Sequence, residues 1–315
     1  MVAVELHKLN GDTSWLVRLP RPSQDTTGST LYNLVLDPWL HSAPQVDGLP
    51  IFSRQTRIET AAFSSLAQLD AWLRLQGKEE RLDAVLLSHP FTDHLHPETL
   101  TDADSLAILQ RCTVFTTRDA LSALRSFKVD LDANKVVNLS SPAVRQDADQ
   151  PGILPSGIQI EHLPARDWAL SPAWSKLHGG IRVSCSNVSG KRVQILYSPH
   201  GITPKSLPHP LRLQESDTAE DEIRVLIHSF DRQTLPLIGT VACGFPNVLD
   251  LIPAFRPTTV LATHDEHKRG EGIVGRLLSR QSFPLQDAQQ LLKQKHPQLS
   301  CTLQQLAPGK SISFP

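Results

Sequence analysis

Short apolar runs separated by turn residues set the rhythm of this chain. Runs near positions 3–8, 14–19 and 31–37 predict strands. Leu82-Asp83-Ala84-Val85-Leu86-Leu87 predicts a buried strand, because it is aliphatic and too short for a useful helix. Between them Leu66, Leu69, Trp72 and Leu73 recur at helical intervals, which predicts a helix over Ser64 to Leu75. The alternation continues with a strand at Cys112 to Thr116, a helix at Asp119 to Phe127, and further strands to about residue 198. Thr203 to Ala219 is rich in Pro, Ser and polar residues and reads as a loop or insertion. Strands follow at Ile223 to Phe230 and Thr259 to Thr263, with a short helix near Asn247 to Ile252 between them. Helices at Val274 to Ser279 and Pro284 to Lys293, and a strand near Ser311, complete the pattern. Strands alternating with helices predict a layered protein whose chemistry sits where strands end and helices begin.

One such end is crowded with ligand-type side chains. After Leu87 comes Ser88-His89-Pro90-Phe91-Thr92-Asp93-His94-Leu95-His96, with three imidazoles and a carboxylate in eight residues. Imidazole nitrogens and carboxylate oxygens are the usual ligands of zinc and its neighbours, so the cluster suits a metal site. For any one of these histidines a helix cap or a solvated loop position is an equally available role. Pro97 suits the first turn of a helix, which puts His94 and His96 at a helix entrance. Two later strands also finish in a histidine: Gln194-Ile195-Leu196-Tyr197 runs into Ser198-Pro199-His200-Gly201, and Thr259 to Thr263 runs into His264-Asp265.

The pattern resembles the metallo-β-lactamase superfamily, whose signature is His-x-His-x-Asp-His after a strand. His89 matches the first histidine, Asp93 the aspartate and His94 the last, while Phe91 stands in the place of the second histidine. Asn10 to Val17 resembles the opening hairpin of that superfamily. Leu34 to Leu40 resembles its next strand and the Asp-Pro turn of the lactonase-like and phosphodiesterase-like branches, here Asp37-Pro38. His264 matches the final ligand, and His200 falls about where a metal-bridging aspartate belongs. In the turn after Pro164 the superfamily expects a further histidine, and this chain has Ala165-Arg166-Asp167. His162 alternates with apolar neighbours and reads as a strand residue.

What the resemblance implies is an α+β fold, an αββα sandwich of two mixed sheets flanked by helices, with 1–315 as a single domain carrying loop insertions. It implies a metal set of His89, Asp93, His94, His200 and His264, with Asp93 and His200 as catalytic candidates. The Asp93, His94 and His264 half is intact and the His89 half has lost partners, so one divalent ion is expected. Zinc comes first, with Fe or Mn as alternatives for a His-rich site with one carboxylate. The implied activity is hydrolysis of a small ester, lactone or related substrate through a metal-activated water. The alternative is a degenerate member of the fold with a binding or scaffolding role and no hydrolysis.

Composition narrows the partners more than the chemistry. A chain of 315 residues at 40% hydrophobic can bury a large core. A net charge of −1 with no Lys/Arg-rich block gives no electrostatic case for nucleic acid or membrane, which leaves a small-molecule substrate and an open oligomeric state. Cys112, Cys185, Cys243 and Cys301 show no Cys-x-x-Cys spacing, so reduced thiols are expected. No basic segment followed by a long apolar run opens the sequence, and a cytoplasmic location is expected. No Gly-x-Ser-x-Gly, Gly-x-x-x-x-Gly-Lys or Gly-x-Gly-x-x-Gly motif competes.

The 24 prolines fall mainly in connections, and Gln45 to Arg57, Ala169 to Gly180 and Thr203 to Ser216 are the expected pocket walls. Trp39, Phe52, Trp168 and Trp174 either line that pocket or pack in the core. His96 is expected to support the ligands, or else to cap its helix. His228, with Asp231 three residues on, is expected to make a structural hydrogen bond, with proton transfer as the alternative. His267 is expected on an exposed turn, and Asp265 or Glu266 as a proton-transfer aid.

Overall fold

Side chains in a strand alternate between faces, and here that period of two assigns each residue to a layer. In the strand Trp15–Pro20, Trp15, Val17 and Leu19 enter one core, while Leu16 enters another. In Arg192–Ser198, Val193, Ile195 and Tyr197 enter that same first core, while Leu196 points the opposite way into a third. The first core therefore lies between two sheets facing each other, and the other two lie under helices on the outer faces. Residues 3–21, 28–141, 153–166, 174–186, 191–208, 222–236 and 238–314 are described by the computed structural model. Asp167, Trp168, the side chain of Trp174 and parts of the expected walls at 169–180 and 203–216 lie outside these described residues.

One sheet has seven strands in the order Ser311–Phe314, Val4–Lys8, Trp15–Pro20, Leu31–Leu36, Ala84–Leu87, Thr113–Thr116 and Val136–Asn138. The other has six, in the order Thr302–Gln304, Thr259–Ala262, Glu222–His228, Arg192–Ser198, Gly179–Ser186 and Gln159–Pro164. Both are mixed. Leu31–Leu36, Ala84–Leu87 and Thr113–Thr116 run parallel, as do Arg192–Ser198, Glu222–His228 and Thr259–Ala262. Leu66–Gln76, Ala103–Arg111 and Arg118–Ser126 cover the first sheet through Leu66, Leu69, Leu73, Leu109 and Leu124. Phe245–Phe255 and Leu285–Lys295 cover the second through Val248, Ile252, Ala288 and Leu292. The αββα sandwich is thus a consequence of strands that are apolar on both faces, a pattern that needs a layer on each side.

Register then places the ends. Leu36 pairs with Leu86, Ser198 with His228 and His228 with Ala262, so these parallel strands finish at one level in each sheet. The next residues in the chain are Asp37, Ser88 and His89, Pro199 and His200, and Thr263 and His264. Asp37 and His264 both adopt left-handed backbone, with φ of 43° and 59°. That conformation is costly for residues with a Cβ and recurs at functional sites.

Two expected helices shift for local reasons. The one near Asn247 to Ile252 spans Phe245–Phe255, because Gly244 with φ 66° starts it, Pro246 fits its first turn and Arg256 in the left-handed region ends it. The one at Val274 to Ser279 is Gly272–Leu277 instead, since Ser279–Gln281 is drawn into a strand paired with Arg232–Leu235. A second small sheet joins Gln45–Val46, Arg54–Thr56 and Arg269–Glu271. It gives the expected wall at Gln45 to Arg57 an ordered form that its polar sequence does not advertise. No helix among the described residues is long and apolar enough to cross a membrane.

Candidate metal centre

The loop after Leu87 is held before any ligand is considered. Asp37 Oδ1 accepts the backbone N–H of Ser88 at 2.7 Å, and Asp37 Oδ2 accepts the Ser88 hydroxyl. Thr13 Oγ1 donates to the carbonyl of Asp93 at 2.7 Å, and the carbonyl of Phe91 accepts from the backbone of His94 and Leu95 at 3.0 and 2.9 Å. Asp47 Oδ1 accepts from the backbone and hydroxyl of Thr92 at 2.9 and 3.0 Å, which ties the small sheet to the loop. After His200 the chain turns on Gly201, whose φ is 116°. A Cβ there would lie 2.8 Å from Asn247 Oδ1 and 2.9 Å from Cys243 Sγ, so only glycine fits.

These anchors bring His89, Asp93, His94, His200 and His264 into one buried cluster, none more than 6% exposed. Donor atoms of His89, His94 and His200 lie within 4.8 Å of one another, as do those of Asp93, His94 and His264. Each imidazole has Nδ1 engaged by an oxygen. His89 Nδ1 is 2.6 Å from Ser88 Oγ, His94 Nδ1 2.7 Å from Asp37 Oδ2, His200 Nδ1 3.0 Å from the carbonyl of Val241, and His264 Nδ1 2.9 Å from Asp12 Oδ1. With Nδ1 fixed in this way Nε2 is left as the donor atom, the usual arrangement of metal-binding histidines. His94 Nε2 and His200 Nε2 are 2.9 Å apart. His264 Nε2 is buried with no hydrogen-bond partner, an orphan that an ion would satisfy. The residues present therefore fit a divalent ion of the zinc, iron or manganese class.

Charge around the cluster is strongly organised. Lys268 Nζ lies 2.6 Å from Asp12 Oδ2 and 3.1 Å from Asp93 Oδ2. Burial alone would raise the pKa of both carboxylates. Lys268 outweighs it, with His264 on Asp12 and with His94 and His264 on Asp93, so both are held below the ordinary carboxylate value. Burial pushes His94 down, but Asp93 and Asp37 push it up further, and it ends above the ordinary histidine value. Burial drives His89 and His200 well below theirs, helped by the neighbouring imidazoles. The 2.9 Å contact sets His94 Nε2 against Nε2 of His200, whose Nδ1 faces the Val241 carbonyl. Asp47 is raised by burial and by the charge of Asp93.

The other expectations sort themselves by contact. Phe91 sits with its ring centre 6.3 Å from that of His200, at the margin of the cluster. His96 caps the helix Pro97–Thr101 by accepting from Thr99 N and stacks on Trp39, and burial lowers its pKa to about 3. It touches none of the five donors, which corrects the expectation that it supports them. His162 lies in the strand Gln159–Pro164 with Nδ1 3.0 Å from Ser140 Oγ, and it lines a cavity of about 40 Å³ beside His89. His228 sits between the Ser229 carbonyl and Asn247 Oδ1, while Asp231 binds Arg280 and the backbone of Phe283. Asp265 accepts the N–H groups of Phe230 and Asp231, and Glu266 those of Ile58 and Glu59, so both brace loops where proton transfer was expected. His267 is exposed. Trp39 is fully buried and Phe52 is 50% exposed.

Asp12, Asp37, Tyr197 and Lys268 were not among the expected metal or catalytic residues. Asp12 and Asp37 orient His264 and His94, and Tyr197 Oη donates to Asp37 Oδ2 at 2.7 Å. The available signal was an aspartate at a strand end or hairpin within a motif already matched.

No protein-family model and no curated protein matches this chain. Among solved structures it is similar to isothiocyanate hydrolase from Delia radicum gut bacteria, with 14% identity and a TM-score of 0.58 over 98% of this chain and 99% of that one. It is also similar to CmlA, a diiron β-hydroxylase from Streptomyces venezuelae, with 12% identity and a TM-score of 0.52, spanning all of this chain and 55% of the other. Both likenesses span the whole αββα sandwich, and this chain has the metallo-β-lactamase fold.

Proposed function

We propose that the chain is a hydrolase using one divalent ion, held by Asp93, His94 and His264 and completed by His89 and His200, on a small ester, lactone or related electrophile. The observation that carries this is that two buried donor triads, His89-His94-His200 and Asp93-His94-His264, meet at His94, with the Nδ1 of all four imidazoles held by an oxygen. The two donor triads have His94 in common, and with Nδ1 on Asp37 it has only Nε2 to give. One imidazole nitrogen has one lone pair, which supports a single ion. Zinc is the first choice.

A bound ion would supply water of lowered pKa and polarise a carbonyl oxygen. The chain's own groups do the rest. Asp93 Oδ1 is not engaged by Lys268 and serves as proton acceptor, with Oδ2 fixed by the ammonium. His200, neutral because of its burial, contributes a lone pair without adding positive charge. Burial of all five side chains excludes bulk water and strengthens each electrostatic contact.

The test is elemental analysis after dialysis, followed by a panel of esters, lactones and thioesters. An isothiocyanate joins the panel because a neighbour of equal span is named for that reaction. One retained equivalent of zinc with turnover that a chelator removes is expected. Protein that holds no metal and hydrolyses nothing would favour the binding or scaffolding reading.

A further inference from the structure

Lys268 has no part in the reading above beyond fixing Asp93 Oδ2. Its side chain is 7% exposed, and its ammonium bridges Asp12 Oδ2 and Asp93 Oδ2. The face of Trp39 closes another side, 5.2 Å from Nζ to the ring centre. The backbone is anchored too, because the next residues, Arg269–Glu271, pair with Arg54–Thr56. Neighbouring cations are engaged elsewhere. Lys8 Nζ bonds the Asp12 carbonyl and Thr263 Oγ1, and Arg57 bonds the carbonyls of Leu40 and His41.

The two carboxylates it bridges are those that serve the imidazoles. Asp12 Oδ1 orients His264, and Asp93 Oδ2 stands 3.6 Å from His264 Nε2. A fixed positive charge therefore shares Asp93 with whatever ion the cluster binds. Two effects oppose each other there. The ammonium steers Asp93 toward the imidazoles, which favours binding, and it repels a dication across a dry, low-dielectric gap, which disfavours it. Repulsion should dominate, because the Asp93 backbone is independently held by Thr13 and the steering is partly redundant.

We propose that Lys268 is a built-in cation of the metal centre, which balances Asp12 and Asp93 and restrains the affinity of the Asp93, His94 and His264 set for its divalent ion. This rests on the reading that Asp93, His94 and His264 bind that ion. It makes Lys268 a determinant of metal affinity and not merely a structural clamp.

The probe is Co²⁺, titrated into metal-free protein by absorption and counted by elemental analysis after dialysis. Wild-type protein, Lys268→Met, Lys268→Gln and the charge-keeping Lys268→Arg are compared. The neutral variants should bind Co²⁺ tighter by about tenfold or more, while Lys268→Arg binds it as the wild-type protein does. Unchanged or weaker binding in both neutral variants would overturn the proposal and leave Lys268 as a clamp. If those variants are unfolded without metal, refolding on addition of Co²⁺ supports it and failure to refold overturns it. Wild-type protein that takes up no Co²⁺ would remove the underlying metal reading, and this inference with it.

Discussion

At the scale of single residues, two imidazoles of similar surroundings in the sequence have opposite places in the structure. His94 is wholly buried, points Nδ1 at Asp37 and gives Nε2 to both donor triads, whereas His162 pairs with Ser140 on a strand. His94→Ala should therefore abolish metal retention after dialysis and His162→Ala should leave it intact. Equal loss in both would mean the ligands are misassigned. Phe91 offers a sharper case. Restoring the superfamily histidine with Phe91→His adds one donor near His200 but leaves His94 with a single available nitrogen, and it leaves Ala165 where another donor is wanted. The variant should gain only weak binding of a second ion, and elemental analysis showing two tightly held equivalents would reveal a donor not recognised here. The histidines of the cluster were legible because histidines after apolar runs are rare and conspicuous. Asp12, Asp37 and Lys268 were not, since nothing local distinguishes a charged residue that will be buried against a partner up to 256 positions away.

At the scale of elements, what the sequence made plain was the set of apolar strands and periodic helices, because burial on both faces forces a continuous hydrophobic run. The strands Gln45–Val46, Arg54–Thr56 and Arg269–Glu271 stayed hidden, for they are polar and exist through pairing across the chain. The helix Phe245–Phe255 was visible only in its middle, because its start depends on the backbone of Gly244. That dependence can be measured. A Cβ on Gly244 would lie 2.6 Å from Arg232 N and 2.8 Å from the Asp231 carbonyl carbon at a φ of 66°, so neither rotation nor a flexible neighbour can relieve it. Gly244→Ala should cost about 2–4 kcal/mol of stability. Gly239→Ala, at φ 89° with nothing within 4 Å, should cost only about 1 kcal/mol from backbone strain alone. Urea midpoints that rank the two the other way would contradict this account of how the helix begins.

For the whole molecule, the feature that organises stability is a large number of histidines folded away as neutral rings. His89, His200 and His228 are pushed below the ordinary histidine value by burial, and His96 to about 3. In the unfolded chain each would take up its proton near pH 6.5. Their stabilising share is therefore complete above that pH and is lost as pH falls through it toward their folded values. His94 has the opposite sign, because its raised pKa contributes below pH 6.5 and is lost as pH rises through the folded value. Counting His7, which burial also lowers, five depressed rings against one raised ring leave the imidazoles with a net loss on acidification that begins near pH 6.5, partly offset by the buried carboxyls of Asp47, Asp83, Asp265 and Glu266, whose raised values gain as pH falls. Asp12 and Asp93, both lowered, extend that loss below about pH 4 as their carboxylates protonate. Metal-free protein should accordingly melt at a lower temperature at pH 5 than at pH 7.5, by several degrees. Added zinc should raise the melting temperature more at pH 7.5 than at pH 5, since protons compete for the same Nε2 atoms. Calorimetry of chelator-treated and zinc-loaded protein across that range measures both effects. A melting temperature of the metal-free protein that holds steady or rises on acidification would show that the buried imidazoles do not govern stability. It would also weaken the case that the cluster is arranged to keep neutral nitrogens ready for an ion.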